Sequence, residues 1–147
     1  MYLYRAITKE GETVDFHLSR TRNKKAAKRF LGKALRSIKP HNHPKTLNTD
    51  KDRVYAPALA SLKEEGVWSE ALTQRQVKYL NNRIESDHGK LKRLINPVRG
   101  FQSLKTAFAT IKGFEVMRMF RKGQFKFWLY GQEHLGEVRL IESQFSF

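Results

Sequence analysis

The sequence predicts a mixed α/β domain that opens on an antiparallel β-meander and continues through alternating helices and short strands. Two observations predict this class. Near the N-terminus, apolar residues alternate with polar ones, as half-buried strands require, whereas later segments carry apolar residues at three- and four-residue spacing, as amphipathic helices do. The 147 residues suit one domain with a sizeable core, and 39% hydrophobic residues exclude a chain disordered by composition.

The first predicted elements are a hairpin and a basic helix. Residues 2–8 and 14–18 form its strands around a turn at 9–12, and Asn23 is the expected N-cap of a helix with an apolar stripe from Ala27 to Ile38. The outer face of this helix carries six cations: Lys24, Lys25, Lys28, Arg29, Lys33 and Arg36. Such a face either follows a phosphate backbone or is simply solvated, and the sequence leaves both interpretations open.

The middle of the chain predicts short strands between helices. Residues 46–50 form a strand that ends on Asp50, residues 55–65 form a helix closed by Gly66, and residues 76–80 form a further short strand.

Two longer helices are predicted in the second half. Asn81 or Asn82 caps a helix that extends to Ile95. A second helix covers about 101–122, and its apolar stripe is expected to stop near Gly113 with a shift or kink, because the same stripe then meets charged residues, which are Glu115 and Arg118.

Net charge indicates the class of partner. Twenty-nine Lys and Arg against fourteen Asp and Glu leave +15 and a pI near 10.3, which favours a polyanion, most commonly nucleic acid, over a basic solubilising or ribosome-associated surface. The absence of cysteine excludes disulfides, thiolate metal sites and a Cys nucleophile, and it suits a reducing cytosol. No apolar run approaches about 18 residues, and no signal peptide is recognisable, so no membrane partner is expected.

Two carboxylates are the best candidates for chemistry. Asp50 at a strand end is held rigidly, and Glu85 lies on a helix expected beside it, so their oxygen atoms suit a hard cation. Glu85, His88 and Lys92 share one helix face, because seven residues span nearly two turns. Each residue alone is equally well explained as a turn, cap or packing residue. Together they are more specific, since this face would present a metal ligand and then a cation two turns further along a phosphate backbone, but the spacing alone leaves both interpretations open.

Longer runs of sequence resemble a known family. One spacing resembles the second half of a D-D-E-K/R transposase signature. Asp50 is followed by thirty-four residues and then by Glu85, and Lys92 lies seven positions after Glu85. The surrounding runs resemble the bacterial insertion-sequence-six family of transposases, at 2–6, 25–33, 85–93 and 109–124. The resemblance covers nearly the whole chain.

This resemblance implies a ribonuclease-H-like catalytic domain with C-terminal helices. Such a domain cuts DNA at element ends and joins the freed 3′ hydroxyl to a target, using two Mg²⁺ (or Mn²⁺) ions. It implies that Asp50 and Glu85 are catalytic metal ligands and that Lys92 is a catalytic residue on DNA near the cut. Lys90, Arg93 and His88 add to the implied DNA-binding surface.

The family pattern is incomplete in this sequence. The first Asp of the family lies on a strand just before the segment that matches 2–6, and neither it nor a helix-turn-helix has a match here. We therefore expect a catalytic core without its first strand over 1–124, an aromatic tail over 125–147 and no activity of the chain alone. Asp15 and Asp52 are not expected to replace the missing ligand. Two carboxylates should bind Mg²⁺ poorly, and an open sheet edge invites pairing with another chain.

Other candidates are weaker. His41 and His43 form a possible metal pair, but a surface loop is the better interpretation because no further ligand has zinc-like spacing. Ser86 has no evident base. Core packing is favoured over stacking on unpaired bases for Trp68 and Trp128.

The favoured function is therefore DNA transposition by a fragment of a transposase catalytic domain in the bacterial cytoplasm, at the nucleoid. Its expected partners are element-end and target DNA, a second copy, or a full-length transposase. The alternative is a non-enzymatic remnant that binds DNA or a transposase. An RNA-associated basic protein is disfavoured, because no aromatic RNP motif is present.

Overall fold

The computed structural model describes residues 1–76, 82–96, 101, 103–125, 136, 138–139 and 142–143. In chain order its elements are β1 (Tyr2–Ile7), β2 (Thr13–Ser19), α1 (Lys24–Arg36), β3 (Thr46–Thr49), α2 (Tyr55–Glu64), β4 (Thr73–Gln76), α3 (Asn82–Ile95) and α4 (Leu104–Arg121). A 3₁₀ turn at Pro40–Asn42 precedes β3. The expected mixed α/β class is confirmed. The chain divides into two compact units, Met1–Lys90 and Leu91–Phe147, with the boundary inside α3.

The strands of the first unit form two small sheets. β1 and β2 pair antiparallel with Leu3 opposite Leu18, which confirms the predicted hairpin, and the register shifts between Ala6 and Ile7. β3 and β4 pair parallel with Thr46 opposite Thr73. Among the described residues, β1 pairs only with β2 and β3 only with β4. Each of these strands therefore has one edge without a strand partner in the part of the chain that the structure describes.

The core of the first unit lies between β1, α1 and α2. Ala27 of α1 and Ala58 of α2 are fully buried, and small side chains at such positions let helix backbones approach closely. Because burial of apolar surface is the dominant favourable term in folding, this cluster holds the unit together. Its buried members are Tyr4, Ala26, Ala27, Phe30, Leu31, Ala34, Leu35, Ala58, Leu59, Leu62, Trp68 and Leu72.

The predicted capping residues begin α1 and end α2. The side-chain oxygen of Asn23 accepts a hydrogen bond from the Ala26 backbone N–H at 2.9 Å, which satisfies one of the unpaired donors of the first turn. α2 ends at Glu64, and Gly66 follows with φ of 66°, a left-handed conformation that glycine adopts without steric cost.

The predicted strand at 76–80 overlaps the described residues only at Gln76, because residues 77–80 lie outside them. The described strand is β4, at Thr73–Gln76. Pairing with β3 sets this position, since the Thr73 N–H donates to the Lys45 carbonyl at 3.0 Å and the Gln74 side chain donates to Thr49 Oγ1 at 2.9 Å. At the start of α3, Asn82 is the first helical residue, and Asn81 lies outside the described residues.

In the second unit, the predicted second helix is confirmed as α4, but the expected interruption of its buried stripe near Gly113 is wrong. The helix runs unbroken through Gly113, and its buried stripe continues from Ala107 and Ile111 to Glu115 and Arg118. Glu115 is only 2% exposed. The side chains of Glu115 and Arg118 carry opposite charges three residues apart on one face, an arrangement that favours helix formation. The sequence pattern therefore ended at two charged residues that the fold nevertheless buries.

The expected aromatic tail lies mostly outside the described residues. Phe125 is buried, with its ring centroid 4.7 Å from that of Phe120, whereas Trp128 and its neighbours at 126–135 are not described. No helix in the described part of the chain is long and apolar enough to cross a bilayer.

Two glycines of the first unit should respond oppositely to alanine. An added Cβ would meet no atom within 4 Å at Gly66 or at Gly89, so packing contributes to neither change. Gly66→Ala must adopt a left-handed conformation, which costs roughly 1–2 kcal/mol, partly offset by about 0.4–1 kcal/mol from the unfolded state. Gly89→Ala lies inside α3 and should stabilise by about 0.5–1 kcal/mol. Urea unfolding followed by circular dichroism measures both, and a change of the same sign in the two variants would contradict the assigned conformations.

Candidate metal and nucleic-acid site

A cavity of about 1040 Å³ lies within the first unit. Its walls come from every residue of β1, from β3 and from the apolar face of α1. Asp50, Glu85 and His88 all line it. The two carboxylates that the sequence selected thus line the same cavity.

Asp50 follows β3 directly and begins the turn into α2. One of its carboxylate oxygens accepts a hydrogen bond from the Asp52 N–H at 3.1 Å, and Asp52 in turn accepts from the Val54 N–H at 3.1 Å. Turns in which an Asp side chain bonds a backbone amide two residues ahead are common. The side chain of Asp50 is still 52% exposed, so it serves the turn and also remains accessible from the cavity.

Arg22 provides the positive charge beside these carboxylates. Its Nε donates to Asp52 in a close ion pair, and its terminal nitrogen lies 3.8 Å from Asp50 Oδ2. Arg22 also lines the cavity, whereas Asp52 does not. The guanidinium is therefore bonded mainly to the turn residue Asp52 and only loosely to Asp50.

The structure gives both alternative aspartates other roles. Asp52 pairs with Arg22 and accepts the amide that leads into α2. Asp15 on β2 accepts a hydrogen bond from Lys33 Nζ at 2.8 Å. Neither residue lines the cavity that holds Asp50 and Glu85.

Two tyrosines extend the cluster into the core. The rings of Tyr4 and Tyr55 meet edge to face with centroids 6.4 Å apart, and both residues line the cavity. Burial, followed by the negative charge of Asp50, raises the pKa of Tyr55 above its ordinary value of 10.0. Burial likewise raises the pKa of Tyr4. Both phenols thus stay protonated and available as hydrogen-bond donors in the neutral range.

Glu85 lies in the first turn of α3, where the partial positive charge of the helix N-terminus favours a carboxylate. Its side chain is exposed, whereas that of His88, one turn later, is half-buried. Ser86 is exposed, and it does not line the cavity.

The predicted DNA-contacting cations lie further along the same helix. Lys90, Lys92 and Arg93 are all exposed, and the fully buried Leu91 lies between them in sequence. Lys90 belongs to the first compact unit, while Lys92 and Arg93 belong to the second. Glu85 and Lys92 are thus on one continuous helix with the expected spacing of seven residues.

Metal-binding capacity in the described residues is limited to pairs of ligands. No group of three or more His, Asp or Glu side chains within this part of the chain is arranged to hold a metal ion. Asp50 and Glu85 supply the oxygen donors that Mg²⁺ prefers, so their chemistry fits, but they are two ligands. His41 and His43 are exposed around the 3₁₀ turn, and the His43 ring lies 3.2 Å from the Ile38 carbonyl, which fits the surface-loop interpretation.

The basic face of α1 is partly engaged within the fold. Lys28 pairs with Glu65 and Lys33 with Asp15, whereas the other four cations of this face are exposed.

Trp68 is 6% exposed inside the core cluster, so the core-packing interpretation is confirmed. Trp128 lies outside the described residues.

Comparison with known proteins identifies the class. A profile described as a DDE domain matches residues 1–124. The transposase for the insertion sequence-like element IS431mec of Staphylococcus aureus is 32% identical over 141 residues, which cover 95% of this chain and 60% of that protein. The transposase for insertion sequence element IS257 in transposon Tn4003, also from S. aureus, matches to the same extent. This chain belongs to the DDE-type transposases of the insertion-sequence-six family.

The S. aureus transposases are longer than this chain. An uncharacterised protein of Yersinia pseudotuberculosis is 46% identical over 65 residues, which cover 44% of this chain and 61% of that protein. The chain thus spans about 60% of the length of the S. aureus transposases that it matches. No solved structure matches it.

Sequence reasoning missed Arg22, Tyr4 and Tyr55 as parts of the site. Arg22 directly precedes the N-cap of α1, and the tyrosines lie on β1 and at the start of α2, so no motif joins them. Only folding brings the three together around Asp50. The one available signal was a tyrosine, Tyr55, five residues after the strand-end Asp50.

Alkaline unfolding tests the position of Tyr55 beside Asp50. Because the folded-state pKa of Tyr55 is raised, its contribution to stability is complete below about pH 10 and is lost as the pH rises through the folded pKa. We expect Tyr55→Phe to move the midpoint of alkaline unfolding to higher pH. Asp50→Asn should shift it in the same direction, because it removes the charge that opposes ionisation.

The matched control is Tyr2→Phe, since Tyr2 is 44% exposed on the same hairpin as Tyr4. Circular dichroism against pH measures all three midpoints. Equal shifts for Tyr55→Phe and Tyr2→Phe would show that Tyr55 is not buried beside a negative charge.

Proposed function

We propose that this chain is the catalytic-domain part of a metal-dependent DNA transposase, which cleaves element ends and transfers DNA strands. The observation that carries the proposal is the shared cavity of Asp50 and Glu85. The family profile and the naming of the S. aureus relatives as transposases support it. A ribonuclease-H-like fold is part of the proposal, and the antiparallel hairpin followed by a helix and a parallel strand pair supports it.

Asp50 and Glu85 would hold Mg²⁺ or Mn²⁺ in this cavity. When bound, the metal supplies Lewis-acid activation of the attacking and leaving oxygens of a phosphoryl transfer. The chain's own contribution is placement. Asp50 is fixed by its turn and Glu85 by the first turn of α3, and His88 lines the same cavity.

The chain is proposed to be inactive alone. Mg²⁺ demands nearly complete octahedral coordination, and two carboxylates on the cavity leave much of it to water. We assign the catalytic core to residues 1–124 and a separate aromatic tail to 125–147. Activity would then require association with a second copy or with a full-length transposase.

DNA is the proposed substrate and partner, at both element ends and target. Lys90, Lys92 and Arg93 are exposed on α3 beyond Glu85, where they would contact phosphates. The net charge of +15 supports the same partner and also supports the second candidate, a non-enzymatic remnant that only binds DNA or a transposase.

Mn²⁺ binding provides a test that does not depend on activity. We expect weak binding, detected by electron paramagnetic resonance, that falls about tenfold or more in Asp50→Asn and in Glu85→Gln, since changes even to residues that only support a ligand cost 10–100-fold. Glu64→Gln is the matched control, because Glu64 is an exposed carboxylate at the end of α2. Equal loss in the control would refute the assigned ligands.

Strand transfer on element-end DNA separates the two candidate functions. We expect no product from the chain alone in Mg²⁺. Product that disappears in Asp50→Asn and Glu85→Gln, but not in Glu64→Gln, would contradict the expected inactivity and would support the ligands. Absence of both product and Mn²⁺ binding, with DNA binding retained, would favour the non-enzymatic remnant.

The salt dependence of DNA affinity tests the phosphate contacts. Each phosphate contact contributes about 0.9 to the slope of log K against log salt concentration. The double variant Lys92→Gln with Arg93→Gln should therefore lower that slope by about 1.8. Lys39→Gln is the control, because Lys39 is exposed at the end of the segment after α1 and does not line the cavity. Fluorescence anisotropy measures all slopes, and an unchanged slope in the double variant would exclude this face as the contact.

A further inference from the structure

The half of α1 that faces away from the core is entirely basic. The helix contains six Lys and Arg and no Asp or Glu. Successive residues of an α-helix are about 100° apart, so Lys25, Arg29 and Arg36 fall within about 40° of one another, at the centre of the face opposite the apolar one. All three side chains are exposed, and they form a row about 16 Å long, which we call the cation row.

Neighbouring elements neutralise the two margins of this basic face. On one margin Lys28 forms an ion pair with Glu65, just after α2, and on the other Lys33 Nζ lies 2.8 Å from Asp15 of β2. The cation row lies between these pairs, and its three side chains form no ion pair with any residue in the described part of the chain. The charge of the row is therefore directed at solvent.

The helix itself does not favour this charge. Lys24 and Lys25 occupy the first turn of α1, where the partial positive charge of the helix N-terminus disfavours cations. Lys25 and Arg29 are four residues apart, and like charges at that spacing destabilise a helix. A polyanion along the row would reverse both effects. The cations thus oppose the stability of the chain alone and become favourable only beside negative charge.

His17 on β2 is a reporter of the same positive charge. Burial lowers the pKa of its half-buried ring, and the positive charges of Lys33 and Arg29 lower it further, whereas Asp15 opposes them. An anion bound beside Arg29 would offset part of this effect. The titration of His17 can therefore detect what binds to the cation row.

We propose that the cation row binds the phosphate backbone of duplex DNA, without reading base sequence. Along a duplex axis, about 16 Å spans about five phosphates of one strand, which is enough for three contacts. Contacts of this kind position a protein on DNA and carry no sequence information. Lys39 lies beyond the end of α1 and is not part of the row.

This surface goes beyond the proposed function, because it is separate from the candidate site. The apolar face of α1 lines the cavity of Asp50 and Glu85, whereas no residue of the cation row does. DNA held by the row would therefore be a stretch remote from the reacting phosphate. Only the choice of DNA over another polyanion rests on the proposed function.

The salt dependence of DNA affinity tests the cation row. The row variant carries Lys25→Gln, Arg29→Gln and Arg36→Gln. In metal-free buffer, with a short duplex that has no element end, we expect it to lower the slope of log K against log salt concentration by about 2.7, which is about 0.9 for each lost phosphate contact. Affinity at low salt should fall at least about tenfold. Fluorescence anisotropy measures both quantities.

A second triple variant controls for the change in net charge. It replaces three exposed cations that lie outside α1 and α3, through Lys45→Gln, Lys105→Gln and Arg121→Gln. We expect its slope to equal that of the parent chain. Because its net charge equals that of the row variant, equal losses in the two variants would reveal a general effect of charge and would overturn the inference.

Single variants separate a binding role from a structural one. Lys25 and Lys105 are the second residues of α1 and α4, so Lys25→Gln and Lys105→Gln relieve the same unfavourable interaction with a helix N-terminus. The urea midpoint should fall in neither variant, and only Lys25→Gln should lower the salt slope, by about 0.9. A lowered midpoint with an unchanged slope would assign Lys25 to the stability of α1 and contradict the proposal.

Nuclear magnetic resonance of the His17 ring locates the bound DNA. Addition of the duplex should raise the pKa of His17 in the parent chain and leave it unchanged in the row variant. An unchanged pKa in the parent chain, while DNA is bound, would place the DNA elsewhere and overturn the inference.

An RNA duplex of the same length distinguishes the two nucleic acids. Tighter binding of RNA than of DNA, lost in the row variant, would assign the row to RNA and contradict the proposal. All of these measurements omit metal and element ends. Their failure is therefore distinguishable from failure of the proposed function, which the Mn²⁺-binding and strand-transfer measurements test.

Discussion

Burial of the apolar face of α1 is the constraint on which the rest of the first unit depends. This face joins β1 and α2 in one core, with Ala27 and Ala58 fully excluded from solvent. It also forms the floor of the cavity. Arg22 directly precedes the N-cap of this helix, and Asp50 follows β3, whose Leu47 packs against the core cluster. The candidate site is therefore held by the core rather than by contacts among its own charged groups, which are largely exposed.

Much of this fold could be predicted, because strong local signals agree with the final packing. Asn23 caps α1 and Gly66 ends α2 through interactions of one or two residues, which the sequence displays directly. β4 has no such signal: Thr73–Gln76 is short and polar, and only its pairing with β3 makes it a strand. In α4, Glu115 and Arg118 are charged but buried. The apolar periodicity of the sequence therefore ends before the buried face of the helix does. Tertiary contacts decided both of these cases.

In the candidate site too, local sequence signals indicate some residues, whereas others join the site only through folding. Asp50 and Glu85 were predictable because a strand end and a helix turn carry them at a family spacing, whereas Arg22 and Tyr55 join the site only through folding. Arg22 matters to the chemistry because it is a competitor for Asp50. The pair is 3.8 Å apart and about half exposed on both sides, and such pairs contribute only about 0–1 kcal/mol. A divalent cation at Asp50 would therefore meet little resistance from Arg22, which keeps its closer contact with Asp52.

Asp50 and β3 belong to the same wall-forming segment of the cavity. Asp50 directly follows β3, which pairs with β4, and Asp50 lines the cavity together with all four residues of β3. Its side chain is 52% exposed, so its charge stays solvated. A solvated carboxylate attracts a cation only weakly, because the effective dielectric constant around it is high. Two carboxylates, with the rest of the octahedral coordination left to water, therefore account in physical terms for the weak metal binding expected of this chain.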